Sequence, residues 1–287
     1  IDDFVSEYAE GRTPNPCVRC NSFTKFGDLL RRGREMGVDG IATGHYVRIE
    51  RSDPRKPALL RGADSNKDQA YFLWGLPKES LPFLHFPLGS MTKEKVRELA
   101  RERGLTTADK PESQEICFVP TGDYRDLLKS RLEPAHRAFQ PGIIVTSAGE
   151  KVGEHKGYSS FTVGQRKGLP GGFPEAMFVV EIRPDSREVV VGPRDELWGD
   201  EVELRSLNWL GLPPAPGSRV SVQLRHRAPP SQALLVEVGG DKVVLHLSDP
   251  RFAVTPGQSG VVFAGDRVLG GGRIHRGSRN RDGGQSK

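Results

Sequence analysis

The sequence predicts a multidomain chain, α/β towards the N-terminus and mainly β beyond it, ending in a small β-barrel. Three observations carry this. Apolar residues recur at helical spacing up to Leu132; short apolar runs between turn clusters replace them after Pro141; and a Pro-rich bridge, LGLPPAPG, sets off a last stretch of alternating strands. At 287 residues, 36% of them hydrophobic, the chain has material for two or three cores.

The elements follow in order. In TKFGDLLRRGREM, Phe26, Leu29, Leu30 and Gly33 share a helical face, and Gly37 breaks the pattern. DGIAT reads as a short strand ending at Gly44-His45. KEKVRELARER predicts a second helix with Thr92 as N-cap, Gly104 just past its end, and Val96, Leu99 and Ala100 as its apolar stripe. A third helix follows Thr121-Gly122 and turns Tyr124, Leu127, Leu128 and Leu132 inward. GIIVT, MFVVEI and EVVVG are strands, with SAGE and RPDSRE as turns. Between them, GYSSFTVGQRKGLPGG is too long for a tight turn, and loops of that kind often carry function. Beyond the bridge, Val220, Val222 and Leu224 alternate with Ser221, Gln223 and Arg225, while Gly240-Asp241 and Gly265-Asp266 suit two-residue hairpins. A run of short antiparallel strands favours a barrel, since closure removes exposed edges. From Arg276 onward no apolar periodicity remains, which predicts disorder. The expected domains are therefore 1–120, 121–210 and 211–275, with a disordered tail over 276–287.

The net charge is +5, but residues 218–287 hold eleven Lys/Arg against five Asp/Glu, so the remainder is close to neutral. That asymmetry fits polyanion binding, or a solubilising Arg-rich end. No run approaches the roughly twenty apolar residues of a membrane helix. The acidic start IDDFVSEYAE has no apolar core of a signal peptide and no initiating Met, which reads as a fragment. Three cysteines are too few, and odd in number, for a secreted disulfide scaffold. A reducing cytoplasm is the expected setting, and the thiols become chemical candidates.

Cys17 and Cys20 form a C-x-x-C in GRTPNPCVRCNSFTKF, and Cys117 lies far downstream in SQEICFVPTGDY. A zinc site needs four soft ligands, and here Cys117 has no partner cysteine and no histidine stands at knuckle spacing. A thioredoxin-like pair would start a helix after an apolar strand, whereas GRTPNP is turn-rich. Cys117 alone, between Ile116 and Phe118, reads as a buried hydrophobe. No metal is assigned.

Taken in order, TPNPCVRCN, ATGHY, KDQAYFLWGL, SQEICF, GYSSFTVGQRKGL, the Leu-Arg-His-Arg strand and TPGQSGVVF resemble the tRNA-uridine 2-sulfurtransferases, or tRNA-specific 2-thiouridylases. The resemblance runs from about Phe4 to Ile274. It implies a PP-loop domain of the adenine nucleotide hydrolase-like class, present in part, followed by a mainly β central domain and a C-terminal β-barrel. It also implies ATP-dependent 2-thiolation of a wobble uridine: ATP with Mg2+ adenylates the C2 oxygen, and a cysteine persulfide supplies sulfur. By the same resemblance Cys20 is the nucleophile and Cys117 the persulfide carrier, and Cys17 falls where the family has Asp or Cys. Asn15, Pro16 and Cys17 would meet the target base and Gly44 would contact ATP. His45, the segment Lys67, Asp68 and Gln69, and Arg225, His226 and Gln258 would contact tRNA. His226 stands where the family has an aromatic. Read without the family, His45 is a capped strand-end histidine and Lys67–Gln69 an ordinary helix start. The implied partners are tRNA and a persulfide donor or sulfur-relay protein. The family's SGGVDS-type ATP loop occurs nowhere in these residues, so the chain by itself is expected to be catalytically incomplete. A non-catalytic RNA-binding fragment, or a zinc or redox C-x-x-C module, are the alternatives. Thiol reactivity and metal analysis separate them.

Overall fold

Residues 1–53, 55–110, 116–119 and 122–278 are described by the computed structural model. The chain opens with helix α1 (Asp2–Ala9), which buries Phe4, Val5 and Tyr8. Helix α2 (Pro16–Arg19) follows, and its start is set by local chemistry. The Asn15 side chain accepts from the Cys17 N–H at 3.2 Å, and Pro16 stands at the first turn, where a missing N–H costs nothing. α2 widens into a π-helical turn (Cys20–Lys25) and continues as α3 (Phe26–Glu35). In α3 Phe26, Leu30 and Gly33 are buried as the periodicity predicts, but Leu29 is 42% exposed. Gly37 then ends the helical course at φ +70°.

Strand β1 (Ile41–Ala42) comes next, followed by β2 (Val47–Glu50), β3 (Ala58–Arg61) and β4 (Leu84–His85). β1 pairs in parallel with β4, whereas the β2–β3 hairpin leaves that small sheet and joins the C-terminal one. Helix α4 (Lys93–Glu102) has the expected cap, with Thr92 Oγ1 accepting from the Lys95 N–H at 3.3 Å. Its expected stripe is only half-buried, and no residue of α4 is fully buried. Helix α5 (Tyr124–Arg131), capped by Asp123, sends Leu128 into the core formed by Phe4, Val5 and Tyr8.

The central sheet has the order β6-β5-β8-β7, from β5 (Gly142–Thr146), β6 (Lys151–His155), β7 (Met177–Arg183) and β8 (Glu188–Pro193). β5 and β8 run parallel; the other pairs are antiparallel. Val189 and Val191 face one apolar cluster and Val190 another, so EVVVG is buried on both sides and reads as a continuous apolar run.

Six strands close the barrel: β9 (Trp198–Trp209), β10 (Arg219–Gln223), β11 (Ser231–Gly239), β12 (Lys242–Phe252), β13 (Ser259–Ala264) and β14 (Arg267–Gly277). Their order is β13-β10-β11-β12-β9-β14, with β14 pairing back to β13. Two boundaries expected from sequence are corrected here. β9 pairs with β12 and β14, so the barrel begins well before residue 211 and the Pro-rich bridge is an internal connection between two of its strands. Arg276 and Gly277 are strand residues and not tail: they stand opposite Glu203 and Val202, and Arg276 Nε donates to the buried Glu203 carboxylate at 2.8 Å. The Ser278 N–H also bonds the Glu201 carbonyl at 2.9 Å, and the remaining 279–287 of the expected tail lie outside the described residues.

The first domain and the barrel share one core. Val47, Leu59, Tyr71, Leu73 and Trp74 pack in the same cluster as Leu210, Val261, Phe263 and Val268. The Arg61 N–H bonds the Asp266 carbonyl at 2.9 Å, which attaches β3 beside β14.

Candidate functional site

The thiols gather around the short helix α2. Cys17 and Cys20 are one turn apart and therefore on one face. Cys17 is exposed, Cys20 half-buried and Cys117 exposed, and all three are free. The Cys17 thiol is pushed up, chiefly by the protein that screens it from water, then by the nearness of Cys117 and Cys20, while Lys25 opposes the shift. Three thiols and one ammonium thus act on a common locale. The reading of Cys117 as a buried hydrophobe is overturned. Its neighbours Ile116 and Phe118 are the packed residues, with Phe118 edge-on to Phe4 at 5.3 Å, and the thiol between them is exposed. Ser113, Gln114 and Glu115 of the same motif lie outside the described residues.

The loop before α2 is seated on the barrel. The Thr13 N–H donates to the Pro256 carbonyl at 2.9 Å, and Gln258 Nε2 donates to the Thr13 carbonyl at 2.8 Å. Gly257 adopts φ +90°, and a Cβ there would stand 2.8–2.9 Å from Thr13 backbone atoms, so this contact requires glycine. Tyr71, 1% exposed, donates its hydroxyl to the Ser259 carbonyl at 3.1 Å and accepts from the Ser259 N–H at 3.3 Å. Burial pushes the Tyr71 hydroxyl up to about 12, against the pull of Ser259, the Asn15 side chain and Arg225. The His226 ring lies 4.4 Å from Phe72 and 6.0 Å from Tyr71. Burial holds His226 below its usual range, with Arg227 adding and Asp68 opposing. Arg225 reaches Thr255 Oγ1 at 3.5 Å. Asn15, Cys17, Arg225, His226 and Gln258, distant in sequence, are therefore drawn around Thr13 and Tyr71.

Other expected residues are placed differently. Asp68 is a structural clasp: one oxygen pairs with Arg61 Nη1 at 2.7 Å, and the other accepts from the Gly62 and Ala70 N–H groups at 2.9 and 3.0 Å. Gln69 Oε1 accepts from the Tyr46 N–H at 2.9 Å, and Lys67 is half-buried beside them. Gly44 is exposed, and a Cβ there would make ordinary contact with Leu88 at 3.5 Å, so protein packing does not demand glycine. His45 sits against Phe26 and Phe86, bonded through Nδ1 to Thr43 Oγ1 at 2.8 Å. Burial, with Lys25 adding, lowers its pKa to about 4, so the ring is neutral near pH 7. His45 lines a cleft of about 510 Å³ together with Thr24, Lys25, Phe26 and Thr43.

Sequence reasoning missed Lys25, a cation that acts on both Cys17 and His45, and the aromatic pair Tyr71-Phe72. The signal for the pair was its place directly after Lys67–Gln69; Lys25 carries none. Among the described residues no group of three or more His, Cys, Asp and Glu could hold a metal ion. No described helix is long and apolar enough to cross a membrane.

Family models match in three consecutive pieces: a tRNA methyl transferase HUP domain at residues 1–121, a tRNA methyl transferase PRC-barrel domain at 128–193, and an aminomethyltransferase beta-barrel domain at 199–274. The chain is 48% identical over 283 residues to the tRNA-specific 2-thiouridylase MnmA of Thermus thermophilus, covering 98% of this chain and 72% of that protein. It is 45% identical over 278 residues to the protein of the same name from Carboxydothermus hydrogenoformans, covering 96% and 75%. Against that of Rhodospirillum centenum the identity is 46% over 286 residues, covering 96% and 71%.

Proposed function

Since the chain belongs to the tRNA-specific 2-thiouridylase family, we propose that it serves the 2-thiolation of the wobble uridine of tRNA, with Cys117 carrying the sulfur and Cys20 completing its release. The observation that carries this reading is the gathering of three free thiols and Lys25 around α2, beside an arginine- and aromatic-bearing face of the barrel. The matching domain families are named for methyl transfer, but converging free thiols suit sulfur chemistry.

In the proposed step a persulfide on Cys117 bonds through its outer sulfur to C2 of a uridine whose C2 oxygen has become a leaving group. The C2–O bond breaks and the leaving group takes that electron pair. The Cys20 thiolate then attacks the inner sulfur of Cys117. The S–S bond to the transferred atom breaks, its electrons stay with the product sulfur, and a Cys20–Cys117 disulfide remains for an external thiol to reduce. Lys25 opposes the rise at Cys17 without cancelling it. Cys17, whose thiol is raised, is held as the less reactive neighbour. The exposed Cys117 is open to a persulfide donor or relay protein. Arg225 would neutralise backbone phosphate and His226 would stack on an unpaired base.

ATP would supply the activation of the C2 oxygen, but the residues present do not fit its phosphates. Gly171-Gly172 lies in a loop, Gly239-Gly240 at a hairpin and Gly271-Gly272 within β14, and none opens a helix.

The test is made on the full-length protein. Cys117→Ser should block persulfide loading, whereas Cys20→Ser should permit loading and stop transfer. Loss of thiolation in Cys17→Ser, with Cys20→Ser unaffected, would refute the assignment.

A further inference from the structure

We propose that the barrel turn Thr255–Gly260 is the positioning element of the reactive-thiol loop, with Gln258 its central positioning residue. This rests on the reading of Cys20 as the nucleophile, and it adds that the C-terminal barrel aims the thiol helix as well as meeting RNA.

The need for an external anchor is written in the loop itself. In Thr13-Pro14-Asn15-Pro16 the two prolines have no N–H, so the segment cannot be stitched down by regular backbone pairing. Thr13 is the last residue before α2 whose N–H and carbonyl are both bonded, and both bonds go to the barrel turn. One partner is the Pro256 carbonyl; the other is the Gln258 side-chain amide, which supplies the donor a neighbouring strand would otherwise provide. Gly257 lets the two backbones approach to a distance that any side chain would forbid.

The anchor is rigid because it is built on paired strands. The Gly257 N–H donates to the Ile274 carbonyl at 2.9 Å, the Ile274 N–H donates to the Gln258 carbonyl at 2.8 Å, and the Gln258 N–H donates to the Thr255 carbonyl at 3.3 Å. A second tie flanks it, since Arg273 of β14 bonds Glu7 and Asp3 of α1, and Glu7 in turn holds Arg12. Tyr71 is bonded to Ser259 of the same turn through both the Ser259 carbonyl and N–H. The loop is thus held by the Thr13 clamp and by the Arg273–Glu7–Arg12 tie, and the Gln258 donor is spent on protein.

The experiment compares Gln258→Glu and Gly257→Ala with the parent in a chain whose only thiol is Cys20. Three readouts are used: the alkylation rate of Cys20, hydrogen exchange across residues 13–21, and tRNA affinity by filter binding. Losing one ordinary hydrogen bond should make Cys20 alkylation about fivefold faster. Exchange should rise over 13–21 and stay unchanged in the barrel strands. Gly257→Ala, which removes no polar group that could meet RNA, should reproduce the result with tRNA affinity within about twofold. Should that variant fail to fold, the isosteric Gln258→Glu carries the comparison. In the full-length protein Gly257→Ala should lower kcat for thiolation and leave KM for tRNA in place. Unchanged alkylation and exchange in Gln258→Glu, or a loss confined to tRNA affinity, would overturn the proposal. Alkylation and exchange need no turnover, so a faster, looser Cys20 in a protein that never thiolates tRNA would refute the proposed function and leave the clamp standing.

Discussion

Glu7 is the most exacting place to test how the first domain is tied to the barrel. Glu7 is 5% exposed, and its carboxylate meets two arginines: Arg12 Nε and Nη2 donate at 2.9 and 2.8 Å, and Arg273 Nη1 lies at 2.9 Å. Glu7→Gln keeps the shape and removes the charge, leaving two guanidinium groups facing each other with one neutral acceptor between them. Breaking a buried pair by removing one partner costs about 3–5 kcal/mol. The arginine side chains retain 32% and 21% exposure, so water screens part of that, and about 2–3 kcal/mol is expected. With a urea m-value of about 3 kcal/mol/M, the unfolding midpoint should fall by about 0.7–1 M. Tryptophan fluorescence suits the measurement, because Trp74 is 5% exposed in the core shared by the two domains. A double-mutant cycle with Arg273→Met should show coupling of about 1–2 kcal/mol, since the contact is direct. A midpoint shift below about 0.2 M, or a coupling indistinguishable from zero, would refute the idea that this ion cluster joins α1 to β14.

Arg225→Ala should weaken tRNA binding and reduce the log–log salt slope by roughly 0.7 to 0.9, the signature of one lost phosphate contact; an unaltered slope would return the basic barrel to a solubility role. His45 has a folded pKa of about 4, below the unfolded value, so its neutral form stabilises the fold fully above about pH 6.5. That contribution should fade as pH drops from about 6.5 towards 4, and His45→Gln should flatten this part of the stability profile; identical profiles would remove His45 from the account. The 287-residue chain, given ATP, magnesium and unmodified tRNA, should release no AMP, because among the described residues no glycine pair opens a helix where phosphates could be cradled. Stoichiometric AMP release would place a nucleotide site within these residues.

Features set by local chemistry were legible in the sequence. The Thr92 cap, the left-handed Gly37 and Gly104, and the turns at Gly240-Asp241 and Gly265-Asp266 each need only a few neighbouring residues, and each is present. What was not legible depends on distant partners. Nothing within β2 and β3 says that they join β14, and KVGEH of β6 has no apolar alternation to mark it as a strand. LGLPPAPG has the composition of a linker, yet it turns the chain between β9 and β10 of one barrel. Glu203 is buried within β9 only because Arg205, two positions on, and the distant Arg276 are its partners. The site divides the same way. The cysteine positions were visible as motifs, but the bonds of Asp68 to Arg61, Gln69 to Tyr46 and Gln258 to Thr13 span 7, 23 and 245 positions, and the longer two leave no local trace.

The last of these spans sets an order of events in the growing chain. A ribosome adding roughly 5–20 residues per second needs about 12–50 s to pass from Thr13 to Gln258. Throughout that interval Cys17 and Cys20 ride on a segment whose docking site has not been made. Cys17 and Cys20 are therefore made long before the turn that seats their loop, and until the barrel is finished they are held by nothing from β13 or β14. The loop is seated once the β13–β14 hairpin closes the barrel and the turn that leads into β13 takes hold of Thr13.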